Sequence, residues 1–88
     1  MTIEERIRQI EEDRGKKLIL RGIRTPNPRF RGRIIERPRY IVVEYRDDEP
    51  GYFWHYDIIQ DLLDAIERRV TNVTLFEGGF QFVELPPE

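Results

Sequence analysis

The amino-acid sequence predicts a small, single α+β domain. It combines two helices with a mostly antiparallel sheet of four to five strands, in the order α-β-β-β-α-β-β. Three observations carry this expectation. Residues 2–13 and 57–69 repeat apolar side chains at helical spacing and open on capping-box patterns. Several other stretches are β-branched or aromatic and bounded by Pro, Gly, Asn or Asp. The connections are short, which disfavours repeated βαβ crossovers of a dozen or more residues each. With 88 residues, 39% of them hydrophobic, the chain can build one modest core.

In residues 2–13, Thr2 can cap the helix and Glu5 can answer it, while Ile3, Ile7 and Ile10 form a narrow apolar stripe. Gly15 suits a left-handed stop because it has no Cβ to clash. Residues 17–23 predict a strand centred on Leu18, Ile19 and Leu20. A Pro/Arg-rich loop is expected at about 24–38, since Pro26, Pro28 and Gly32 suit neither ladder nor helix between 24 and 33. Ile34 and Ile35 start a strand that bends or breaks at Pro38. Residues 39–46 are the clearest strand, β-branched and aromatic almost throughout.

Asp47, Asp48, Glu49, Pro50 and Gly51 predict a wet turn, from which 52–56 runs back as a hairpin arm. For residues 57–69 the spacing predicts the stronger helix. Asp57 and Gln60 supply its capping box, and Ile58, Ile59, Leu62, Leu63 and Ile66 fall within an arc of about 140°. Arg68 and Arg69 occupy its last turn, where positive charge suits the helix dipole. Residues 73–76 and 80–85 flank Glu77, Gly78 and Gly79 as a hairpin, and the tail 86–88 is expected to fray.

Composition excludes several chemistries. Without cysteine or serine there is no disulfide, thiolate nucleophile, Cys-based metal site or serine acyl-enzyme. No apolar run approaches the roughly 20 residues that cross a bilayer, and the N-terminus carries acid residues instead of a signal-peptide core. A cytoplasmic home with no membrane partner is therefore expected. Asp57, Asp61 and Asp64 lie within about 60° on the second helix, yet helix-dipole and i,i+4 pairing account for them better than a hard cation. Asp47, Asp48 and Glu49 lack the ligand ladder of a calcium loop. His55, the one histidine, has no serine or cysteine to activate, so it reads as a strand-end or pre-helix residue. The expectation is no catalytic residue, no metal and no cofactor.

Charge is the most informative feature. Arg14, Lys16, Lys17, Arg21, Arg24, Arg29, Arg31, Arg33, Arg37 and Arg39 face only Glu36 within their segment, a net +9. The other residues hold five basic and 16 acidic side chains, a net −11, so the overall −2 conceals a dipolar chain. Three accounts fit. The acidic helices can fold against the basic segment and neutralise it. The acidic face of one copy can meet the basic loop of another. Or the segment binds a polyanion, with arginine forks on phosphates and Phe30 and Tyr40 stacking on bases.

The favoured expectation is a non-catalytic interaction or assembly module that binds a protein partner or itself. Tyr52, Trp54 and Tyr56 would share one face of a strand and anchor the contact, with Arg29, Phe30, Arg31 and Arg33 orienting it. The alternative is nucleic-acid binding through Arg24, Arg29, Arg31, Arg33, Arg37 and Arg39. No helix-turn-helix, zinc-finger, KH or RRM signature accompanies those arginines.

Overall fold

A computed structural model of the chain describes residues 1–48 and 54–82. Helix α1 spans Ile3–Arg14, and the local chemistry sets both its ends. The Thr2 hydroxyl oxygen accepts the Glu5 backbone N–H, and Gly15 closes the helix in the left-handed region at φ 64°. Strands β1 (Lys17–Ile23), β2 (Phe30–Glu36) and β3 (Tyr40–Arg46) follow, then α2 (Trp54–Glu67), β4 (Val73–Phe76) and β5 (Gly79–Phe82). The element order and the α+β class agree with the sequence expectation.

The five strands form one sheet in the order β1-β3-β2-β4-β5. Three pairings are antiparallel, and β1 lies parallel to β3. Strand β2 serves as the return between that parallel pair, so no helical crossover is needed. The β4–β5 hairpin turns at Glu77 and Gly78, as the diglycine predicts.

Both helices lie on one side of the sheet. Helix α1 packs on β1 and α2, and α2 packs on β2 and β3. With a short dimension of 20 Å, the molecule has room for one helical layer on one sheet. The core fills that seam with Leu18, Ile34, Ile41, Val43, Val73 and Leu75 from the strands. Ile3 and Ile10 of α1, and Ile58, Leu62, Leu63 and Ile66 of α2, meet them. Gly32 lets α2 seat closely: a Cβ there would lie 2.6 Å from Leu62 Cδ1 and 2.7 Å from the Glu44 carbonyl oxygen. Arg6 of α1 pairs with Asp64 and Glu67 of α2, and Arg69 with Asp13, tying the helices together.

Four local expectations are corrected. Residues 30–33 belong to a strand and not to a loop, because Gly32 serves a close backbone approach and the prolines precede the ladder. Residues 54–56 are helical and not a hairpin arm. The apolar period of α2 extends one turn back from Ile58 to position 54, and this helical period outweighs the β propensity of the aromatics. Asp57 is consequently inside the first turn and is not the cap. At the other end α2 stops at Glu67, so Arg68 and Arg69 lie in the following turn, with Arg69 left-handed at φ 62°. Glu49, Pro50, Gly51 and residues 83–85 of the expected last strand lie outside the described residues.

Candidate functional site

The sheet face opposite the helices carries the site. Alternation along the strands and the pairing register place its residues. Lys17, Ile19, Arg21 and Ile23 of β1 share this face with Tyr40, Val42, Glu44 and Arg46 of β3. Arg33 and Ile35 of β2 join them, opposite Glu44 and Val42. Thr74 and Phe76 of β4 and Gln81 of β5 continue the face.

A β-bulge reshapes one corner. Phe30 pairs with Phe76 while Gly32 pairs with Leu75, so β2 spends an extra residue at Arg31. By plain alternation Phe30 would share the helix side with Gly32 and Ile34. The bulge turns it to the open face, where its ring meets Phe76 edge-on with centroids 6.4 Å apart. The Arg33 guanidinium lies 6.0 Å from the Phe30 centroid, within cation–π reach. Phe30 is 7% exposed, so it underlies the face, while Phe76 is half-buried.

At the centre, Arg21, Glu44 and Arg33 lie in register on three adjacent strands. Glu44 is 4% exposed and takes Arg21 Nη2 at 2.9 Å and Arg33 Nε at 2.9 Å. Its single negative charge is shared by two cations, so the triad stays net positive. Arg46 binds Asp48 and donates to the Pro28 carbonyl. The Asp48 carboxyl is held below the usual carboxylate range, chiefly by its hydrogen bond from Arg46. Beside the triad, Ile19, Val42 and Ile35 form an apolar row across three strands, with Ile19 38% exposed.

The acidic helices do not cover this face, because they lie behind the sheet. Helix α2 has four acidic residues and no lysine or arginine; α1 has five acidic and three basic residues. Neutralisation inside the basic segment comes from strand residues instead. Glu44 takes Arg21 and Arg33; Glu36 takes Arg14 and Lys16 on the helix side. Glu36 also accepts the Thr71 hydroxyl, and its own backbone N–H donates to Asn72 Oδ1. Partial burial works against its charge. The hydrogen bonds from Lys16 and Thr71, with the Arg14 and Lys16 charges, outweigh that and lower its pKa.

The expected site residues are distributed as follows. Arg24 and Arg29 flank the end of the sheet where Arg31 and Phe30 begin β2, and Arg37 and Arg39 lie in the β2–β3 turn at the other end. Only Arg33 stands at the centre. Lys17, Arg24, Arg31 and Arg39 form no ion pair with a described residue. Tyr56 is 41% exposed on α2, Trp54 is the first residue of that helix, and Tyr52 lies outside the described residues. Two residues apart on a helix, positions 54 and 56 are about 200° apart and share no strand face.

Asp57 and Asp61 are exposed along α2, while Asp64 takes Arg6. Among the described residues no three His, Cys, Asp or Glu side chains are grouped to hold a metal ion. No described helix is long and apolar enough to cross a membrane. Sequence reasoning missed Arg21, Glu44, Arg46, Phe76 and Gln81 as members of one surface. Alternation of polar residues along β1 and β3 was the available signal. Set beside known protein families, curated proteins and solved structures, the chain matches none.

Proposed function

We propose that this chain is a non-catalytic binding protein whose open sheet face takes a single-stranded nucleic acid. One observation carries this: the molecule is polarised across its thickness, with acidic helices behind the sheet and Lys17, Arg21, Arg33 and Arg46 against Glu44 and Asp48 on the open side. Such a surface attracts a polyanion on one side and repels it on the other. The flat sheet adds a half-buried aromatic, Phe76, and the apolar row of Ile19, Val42 and Ile35 for the bases. Arginine at the centre suits phosphate oxygens, and aromatic rings suit unstacked bases without sequence preference.

Fluorescence anisotropy with labelled single-stranded and duplex oligonucleotides tests it. Micromolar or tighter binding to the single strand is expected at low salt. Affinity should fall with a log–log slope of about −0.7 per phosphate neutralised. The double variant Lys17→Glu, Arg21→Glu should lose at least about tenfold in affinity, in proportion to the charge reversed. Absence of binding at micromolar protein in low salt would remove the proposal.

A second reading, a protein partner or a second copy, has its own observation. Strand β5 is an edge without a charged residue, and its Phe82 is 83% exposed. Edge β1, by contrast, carries Lys17 and Arg21, the kind of charge that discourages strand addition. Phe82→Lys should then abolish association seen by sedimentation while the fold is retained.

A further inference from the structure

Next to the aromatic corner, Asn27, Arg29, Phe76 and Gln81 line a shallow cavity of about 140 Å³. Resting on the nucleic-acid proposal above, we infer that this cavity receives one unstacked nucleobase of the bound strand, and that it favours a base with an acceptor-rich edge such as guanine.

The lining has the parts that base recognition needs. A flat π ring needs a plane to lie against, and Phe76 supplies one. A base edge needs amide or guanidinium groups at hydrogen-bonding reach, and Asn27, Gln81 and Arg29 supply them. The Asn27 Oδ1 already accepts the Arg29 backbone N–H at 3.0 Å, which leaves its N–H groups as the side chain's remaining hydrogen-bonding capacity. The Arg29 guanidinium has only donors, and its contact with the Glu77 carbonyl is long at 3.4 Å. Together they make the cavity richer in donors than acceptors. Guanine presents two acceptors, N7 and O6, side by side, which is the edge that arginine most often reads.

The cavity is also built before any ligand arrives. The Asn27 N–H donates to Thr25 Oγ1, the Phe30 N–H to the Asn27 carbonyl, and the Glu77 N–H to the Arg29 carbonyl at 2.8 Å. These bonds fix residues 25–29 against the β4–β5 hairpin, so little ordering remains to be done on binding. The position suits a strand lying on the face. Phe76 touches Phe30, and Arg33 stands over Phe30, so the cavity adjoins the central cations that would hold the phosphates.

The test compares two labelled heptamers, all-thymine and the same strand with one central guanine, by anisotropy at low salt. The wild-type chain is expected to prefer the guanine strand by about fivefold or more. Gln81→Ala and, separately, Asn27→Ala should reduce that preference, read as the ratio of the two strands' affinities. Both positions are exposed, and circular dichroism checks that the variants fold. Equal affinity of the wild type for the two strands overturns the base cavity and leaves the face proposal standing. A preference undiminished in both variants also overturns it, because the discrimination then comes from elsewhere. Failure of both strands to bind overturns the cavity and the face together.

Discussion

Glu36 and Glu44 lie in neighbouring strands, and each is bound by two cations, yet they belong to opposite faces of the sheet. Glu36 faces the helices. Its partners arrive from the end of α1, the turn between α1 and β1 and the loop before β4, so one carboxylate joins three separate segments. Glu44 faces away, and its partners are its direct cross-strand neighbours. Arg21 remains 65% exposed and Arg33 34% exposed while bound to it. The same pairing chemistry therefore acts as a brace on one face and as a rigid mount for exposed positive charge on the other. What differs is whether a second layer of structure lies over the carboxylate.

If the faces divide labour in this way, substitutions behind the sheet should cost stability, and those in front should change binding. The largest effect is expected at Gly32, where α2 sits against the backbone. Gly32→Val should cost about 3 kcal/mol by overpacking, seen as a fall in the thermal midpoint of roughly 10–20 °C. An unchanged midpoint would mean that α2 does not seat on β2 as described.

Next comes Glu36→Gln, expected to cost about 2 kcal/mol at pH 7, since it weakens charged hydrogen bonds around a half-buried hub. Its sign with pH is also specified. The folded-state pKa of Glu36 lies below its usual value of 4.5, so its contribution is complete above that value and declines as pH falls through the folded pKa. Denaturant titrations of wild type and variant should therefore converge on acidification, and a gap that widens would contradict the assignment.

Glu44→Gln is expected to be milder in stability, about 1 kcal/mol, because glutamine can still accept one arginine donor. Its clearer signature is binding. One more uncompensated cation should tighten single-strand affinity at low salt and steepen the salt slope by up to about 0.7. Weaker binding would place the contact elsewhere. The smallest change is expected from Asp48→Asn at the part-buried, sequence-local pair with Arg46. Its midpoint should fall by no more than a few degrees, while affinity should rise slightly as Arg46 loses one compensating charge.

Much of the fold is legible in the sequence where information is local. Thr2, Glu5 and Gly15 mark both ends of α1 because capping chemistry lies within a few residues of the groups it satisfies. Val73, Gly78 and Phe80 announce the last hairpin for the same reason. The basic loop is legible as composition but not as geometry. Gly32 looks like a loop residue until α2 is placed over it, and position 54 looks like a strand until the helical period from Ile58 is allowed to decide. The candidate surface was harder still, since Arg21, Glu44 and Arg33 are separated by 11 to 23 residues and become neighbours only through the pairing order β1-β3-β2.

The sequence by itself determined the α+β class, the order of elements, the absence of thiol and serine chemistry, and the concentration of positive charge between Arg14 and Arg39. All of these follow from composition or from interactions spanning one turn. Only the tertiary structure decided that the acidic helices lie behind the sheet and that Glu36 and Glu44 take up the nearby cations. It alone showed that a bulge at Arg31 turns Phe30 to the open face. Those outcomes depend on register and layer packing, where a one-residue shift moves a side chain to the other face.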